Sequence, residues 1–121
     1  MNKISFALMF VFLLGRTKAL AEPSLTEGKN IFEGQIAPIL KGMGTHQFSI
    51  SSKKKRTDIF FNQAIALAYG FNHLEAGRSF KQVAQLDSKS AMAYWGQALV
   101  LGPNINGAME MSAVLPAFEA I

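Results

Sequence analysis

The chain has 121 residues, half of them apolar, with 12 Lys+Arg against 8 Asp+Glu and no cysteine. That length allows one domain, and the lack of cysteine excludes disulfides, thiolate catalysis, zinc–cysteine sites and covalent c-type haem attachment. The formal net charge of +4 invites a nucleic-acid reading, which the distribution of the cations removes.

Lys3 is followed by the apolar run Ile4 to Leu14 and then by Ala19-Leu20-Ala21, a small-x-small cleavage pattern ahead of Glu-Pro-Ser. This is the layout of a secretory signal peptide over residues 1–21, with cleavage expected after Ala21. The apolar run falls short of the ~20 residues that span a bilayer. An uncleaved anchor is the lesser reading, kept open by Arg16 and Lys18. The expected compartment is therefore the periplasm or the medium, with membrane contact only through the transient signal. Lys3, Arg16 and Lys18 leave with that segment while all 8 acidic residues stay, so the mature balance is 9 cations against 8 anions. Four of the nine form one run, Lys53-Lys54-Lys55-Arg56. That run reads as a solvated stretch ahead of a helix, and no nucleic-acid partner is expected.

Residues 22–52 lack a regular apolar period and are broken by Gly28, Gly34, Gly42, Gly44, Pro23 and Pro38. They read as an irregular arm. Beyond Ser52 the pattern changes. Phe60, Ala64, Leu67 and Phe71 fall at 0, 4, 7 and 11, the stripe of an amphipathic helix. Gly70 is expected to stop that helix with a positive φ. Asn72 with Glu75 three residues on reads as a capping box, and Leu74, Phe80, Val83 and Leu86 form a second stripe. A third helix is expected from about Lys89 to Leu101, ended by Gly102-Pro103, with a turn at Asn106-Gly107. Ser112 would cap a fourth helix, with Pro116 in its first turn.

The first and third helices match at a constant separation of 34 residues: Phe60 with Tyr94, Phe61 with Trp95, Gln63 with Gln97, Ala64 with Ala98, Asn72 with Asn106. Such a period is the signature of a helix–turn–helix solenoid. With Phe60, Ala64 and Leu67 in the first helix and Ala76-x-x-x-Phe80 in the second, the chain resembles the tetratricopeptide repeat (TPR) family. Gln63 and Gln97 stand where that family usually has Leu, Ala64 and Ala98 where it has Gly, and Ser88 where it has Pro. The stretches YGFNH, AMAYWG and LGPNIN are also similar to those of a group of exported bacterial TPR proteins.

The expected fold is thus all-α, an antiparallel helix–turn–helix (TPR-like) solenoid fragment over residues 53–121 preceded by the arm. Repeat one covers about 57–90 and a partial second repeat 91–121. The resemblance implies a longer parent with further repeats. Because a solenoid repeat buries its faces only against neighbours, residues 22–121 alone are expected to be weakly stable or self-associating.

No catalytic motif is present, so no enzyme activity and no cofactor are expected. His46 and His73 flank a helix whose ends lie about 20 Å apart, so no shared metal site is expected. Two surfaces remain as candidates for a protein or peptide partner. One is the turn edge, where Asn72, His73, Asn104 and Asn106 would stack with Phe71 and Ile105 beneath; its plain reading is a pair of helix caps and a turn. The other is a groove formed by Phe61, Ile65, Trp95 and Leu99 on the side of the first-type helices away from the packing stripe; its plain reading is burial under the arm or neighbouring repeats. TPR-like folds are mostly interaction modules, which points to an exported scaffold or adaptor. The competing class is a ligand binder or enzyme that uses the Asn/His edge, with its remaining parts outside this chain.

Overall fold

The computed structural model describes residues 33–121. They contain four α-helices and no strand: α1 (Thr57–Tyr69), α2 (His73–Leu86), α3 (Ala91–Leu101) and α4 (Met111–Glu119). The expected signal peptide and the first part of the arm lie outside the described residues. Connections of three and four residues force α1 against α2 and α2 against α3, and a nine-residue loop returns α4 onto α3.

The core follows the two stripes with corrections. Phe60, Ala64 and Leu67 of α1 meet Ala76, Phe80 and Val83 of α2, all buried. Leu74 was expected in the second stripe but is 79% exposed, because it lies on the side of α2 opposite the buried Ala76, Phe80 and Val83. Phe71 leaves the first stripe as well, since α1 ends at Tyr69. Of the buried pair Ala64 and Ala76, neither has a side chain long enough to hold the hairpin helices apart.

Where α2 crosses α3, Phe80 sits on Gly96. A Cβ at residue 96 would fall 2.3 Å from the Phe80 ring, closer than any non-bonded carbon contact allows. Gly96 therefore sets how near α3 comes, and Phe80 fills the space its missing side chain leaves. Gly77, on the same crossing, is different: a Cβ there would meet only Val100 Cγ2 at 3.4 Å.

Helix α3 begins at Ala91, two residues later than expected, with Ser90 at its N-cap. Helix α4 begins at Met111 behind Glu110, so Ser112 lies inside it and does not cap it. Pro116 is consequently in the second turn, not the first. Its ring removes one helical N–H there and leaves the Ser112 carbonyl without that donor.

The arm stays irregular from residue 33 to residue 56. It is tied down near its junction with α1 by Asp87, which follows α2. Asp87 Oδ2 accepts from Ser52 Oγ at 2.7 Å and Oδ1 from the Lys89 N–H at 3.1 Å. These two hydrogen bonds, with Lys54 and Lys89 nearby, hold the Asp87 carboxyl below its ordinary value.

Two outcomes follow from these contacts. Gly96→Ala is expected to destabilise the fold by about 1–3 kcal/mol through overpacking. Gly77→Ala is expected to be neutral or stabilising by up to about 1 kcal/mol, since Ala favours helix. Urea unfolding of both variants checks the pair, and equal effects would contradict the crossing described. For Asp87, the folded-state pKa is depressed, so its contribution is complete above the ordinary value of 3.8 and disappears as pH falls through the lowered one. An NMR titration should place the Asp87 midpoint below that of a free aspartate, with loss of the Ser52 bond at the same pH. A midpoint at or above the ordinary value would contradict the latch.

Candidate functional site

The groove expected from Phe61, Ile65, Trp95 and Leu99 is split by the arm. Phe61 and Ile65 are buried, whereas Trp95 is 45% and Leu99 44% exposed. Phe48 of the arm lies tilted against Phe61 with ring centroids 5.8 Å apart, and Phe61 meets Phe80 edge-on at 5.6 Å. The first half of the groove is thus occupied by the protein's own chain, and Phe61 and Ile65 are not available to a partner. The repeat-equivalent half is open.

What holds the arm is a set of side chains on α1 and α2 that bind its main chain. Gln82, fully buried, accepts from the N–H groups of Ile36 and Ala37 at 2.6 and 3.2 Å. Gln63 accepts from the Leu40 N–H at 2.8 Å and donates to Pro38 O and Ser79 Oγ, both at 2.9 Å. Asn62 accepts from the Phe48 N–H at 2.6 Å. Arg78 donates to Ile36 O at 2.9 Å while also pairing with Glu75 at the same distance. The arm lacks regular structure, so its backbone groups need such partners wherever it is buried. Ala37 is the side chain it inserts into the core.

Between the arm and α1 lies a cleft of about 450 Å³ whose walls include His46, Gln47, Phe48, Asp58 and Ile59. A second groove of about 710 Å³ runs between α2, α3 and α4, along Leu74, Gly77, Lys81, Gln97 and Pro116. His46 and His73 border different cavities. Among the described residues no group of three or more His, Asp or Glu is placed to hold a metal ion.

The turn edge is built from two different loops. At the end of α1, Gly70 N–H bonds Ala66 O, Phe71 N–H bonds Ala68 O, and Asn72 N–H bonds Leu67 O, at 2.9, 3.1 and 2.9 Å. The last two bonds make a Schellman arrangement. Its left-handed residue is Phe71, with φ 61°, while Gly70 has φ −81° and needs no special freedom. The expected positive φ is therefore one residue later, on a bulky side chain, at a strain of about 1–2 kcal/mol. The capping box is half formed. Asn72 Oδ1 accepts weakly from the Glu75 N–H at 3.4 Å, but Glu75 turns to Arg78, and the Asn72 N–H is already taken by Leu67.

After α3, Asn104 and Gly107 exchange two backbone bonds, at 3.0 and 3.1 Å. Asn104 Oδ1 accepts from the Asn106 N–H at 2.8 Å. That leaves the Asn104 amide nitrogen facing His73 Nδ1 at 3.4 Å, a long contact between the two turns. The structure thus brings His73 and Asn104, 31 residues apart, together. Asn72 is half-buried as a cap, and Asn106 is exposed in its own turn. Phe71 and Ile105 do not lie beneath the edge: they are 55% and 87% exposed. Phe71 instead stands beside His73, ring centroids 6.3 Å apart.

The cavity at this edge is about 200 Å³ and is lined by Tyr69, Phe71, His73, Leu99, Pro103 and Asn104. That is below the several hundred Å³ usual for a small-molecule site. Glu75, the carboxylate nearest in sequence, is committed to Arg78. The edge therefore has an imidazole and an amide but no acid–base pair.

No protein-family model, curated protein or solved structure matches the chain. The residues that sequence reasoning missed are the arm-binding ones, Gln63, Gln82, Asn62 and Arg78. The signal for Gln63 was a glutamine beside the apolar stripe of α1, since such a residue stays inside only when hydrogen-bonded; Asn62 and Arg78 carried none.

Gln82→Ala leaves the Ile36 and Ala37 N–H groups without that acceptor, at about 1–3 kcal/mol for the buried Ala37 group and less for the exposed Ile36 one. The expected result is a lowered urea midpoint and rapid proteolysis within residues 33–48. Unchanged protection of the arm would contradict the role given to Gln82.

Proposed function

We propose that the chain is part of an exported, TPR-like scaffold or adaptor that binds a protein or peptide through the open half of the groove. The observation that carries this reading is the asymmetry between equivalent residues. Phe61, with Phe48 of the arm against it, and Ile65 are buried, while Trp95 and Leu99, 34 residues on, are nearly half exposed. Both sit one turn apart on α3, the spacing at which two side chains form a continuous apolar strip. Exposed aromatic anchors of this kind are the usual centres of partner interfaces. Further exposed apolar residues on α4, Leu115 and Phe118 among them, suit contact with a following repeat of a longer chain. The signal-like residues 1–21 support export of the mature part. No enzyme activity, cofactor or nucleic-acid partner belongs to this reading.

The long contact between His73 and Asn104 favours a second reading, in which the turn edge is a polar recognition site. The small cavity there suits a peptide group or a side chain better than a free metabolite. Under this reading the chain is a ligand binder or supplies one wall of an enzyme site completed elsewhere.

Crosslinking and pull-down from the exported fraction separates the two readings. Trp95→Ala with Leu99→Ala should lose the partner, while His73→Ala with Asn104→Ala should keep it. Trp95 is the sole tryptophan, so partner binding should also shift its emission to the blue. An unchanged partner set in the Trp95/Leu99 variant would end the first reading, and loss in the His73/Asn104 variant would favour the second.

A further inference from the structure

The seat that α1 and α2 give the arm recurs one repeat later. Residues 34–40 run along the seam of that helix pair. There Gln63 accepts from the Leu40 N–H at 2.8 Å and donates to Pro38 O at 2.9 Å. From α2, Gln82 accepts from the Ala37 N–H at 3.2 Å and Gln85 donates to Gly34 O at 3.1 Å. Moved on by the 34-residue period, Gln63, Gln82 and Gln85 become Gln97, Pro116 and Glu119. All three line the groove of about 710 Å³ between α2, α3 and α4. This groove is therefore the equivalent of the arm's seat, with α3 and α4 in the places of α1 and α2. Gln97 Nε2 turns back onto Ala93 O of its own helix at 3.2 Å, and no described group donates to its Oε1. Among the described residues every buried side-chain nitrogen and oxygen has a partner, so that Oε1 is open to the groove. Each flank of the groove carries one charge, Lys81 on α2 and Glu119 on α4, and neither is in an ion pair among the described residues.

We infer that the α2–α3–α4 groove is a second seat, which takes an extended peptide segment of a partner protein as the α1–α2 seam takes the arm. The occupant is extended because Gln97 offers an acceptor for a main-chain N–H. A helix satisfies its own N–H groups and leaves none for Gln97, whereas an irregular segment must find partners for its own. Its charges follow from the flanks: a carboxylate for Lys81 and a cation for Glu119. Pro116 stands where Gln82 is in the first seat and brings no acceptor. The second seat therefore grips the main chain at fewer points than the first, and its occupant binds reversibly where the arm is built in. Two residues along a helix is a rotation of about 200°, so Trp95 and Leu99 lie on the opposite side of α3 from Gln97. The seat is thus separate from the partner strip of Trp95 and Leu99, and either can fail without the other.

The arm's own sequence supplies the probe. A peptide with blocked ends and the sequence of residues 33–41, Glu-Gly-Gln-Ile-Ala-Pro-Ile-Leu-Lys, has the arm's main-chain pattern between one acid and one cation. Labelled with fluorescein, it is titrated with the full chain and followed by anisotropy. Saturable binding with a Kd below roughly 1 mM is expected. Gln97→Ala should weaken it about three- to tenfold through loss of one hydrogen bond, and Lys81→Glu should weaken it as well. Trp95→Ala should leave it unchanged. In NMR spectra the peptide should move the Gln97 side-chain amide and the Gly77 N–H, while the Ala37 N–H stays in place. No saturable binding, equal affinity in the Gln97→Ala chain, or loss of binding in the Trp95→Ala chain would each overturn the inference. So would shifts confined to Ala37 and Gln82, since the peptide would then be replacing the arm in the first seat.

Discussion

Everything in the described fold hangs on two buried glutamine side chains that bind an irregular segment of the same chain. A buried amide left without partners costs about 1–3 kcal/mol for each group, and Gln63 and Gln82 find theirs chiefly in the arm's main chain. Gln63 spans three elements at once, joining Pro38 and Leu40 of the arm to Ser79 of α2. With the arm held, Phe48 can cover Phe61, Phe61 can meet Phe80, and Phe80 can sit in the gap at Gly96. Hydrogen bonds fix the arm, the arm closes the aromatic stack, and the stack sets the approach of α3. The position of Trp95 and Leu99 is the last link in that sequence.

Strain is stored at two points, one beside each end of α1. Phe71 and Arg56 are the non-glycine residues with positive φ among those described. Each ends or begins α1 where the chain reverses, so local backbone bonds and neighbouring turns must hold them in place. At Phe71 the Schellman bonds do so, and the ring is left beside His73. At Arg56 the carbonyl accepts from the Phe60 N–H at 3.4 Å, the first bond of α1. The first point is a corner that presents side chains, and the second is where the arm turns into the helix.

The parts legible in the sequence were those governed by local periodicity. Phe60, Ala64 and Leu67 identified α1, Ala76 and Phe80 identified α2, and the match between Asn72 and Asn106 foretold that the two turns adjoin. The parts not legible depend on contacts far apart in the chain. The arm's main chain carries no side-chain signature for Gln82, some 45 residues away, so its docking could not be read from composition. Leu74 was counted in the stripe, yet six residues before Phe80 it falls on the far side of α2, while its neighbours Glu75 and Ala76 are buried. Gly70 looked like the left-handed stop, but the bonding pattern shifted that role to Phe71. Phe61, Ile65, Trp95 and Leu99 were read as a groove, with burial under the arm or neighbouring repeats the favoured alternative; Phe61 and Ile65 are buried, with Phe48 against Phe61, while Trp95 and Leu99 stay nearly half exposed.

The most direct test is amide hydrogen exchange at Ile36, Ala37 and Leu40, whose N–H groups are the ones Gln82 and Gln63 accept. If the arm is an integral layer of the fold, these amides exchange as slowly as those in the middle of α2, even though they lie in no helix or strand. If they exchange at the rate of an unstructured peptide while α1 and α2 stay protected, the arm is not part of the core and the account built on it fails.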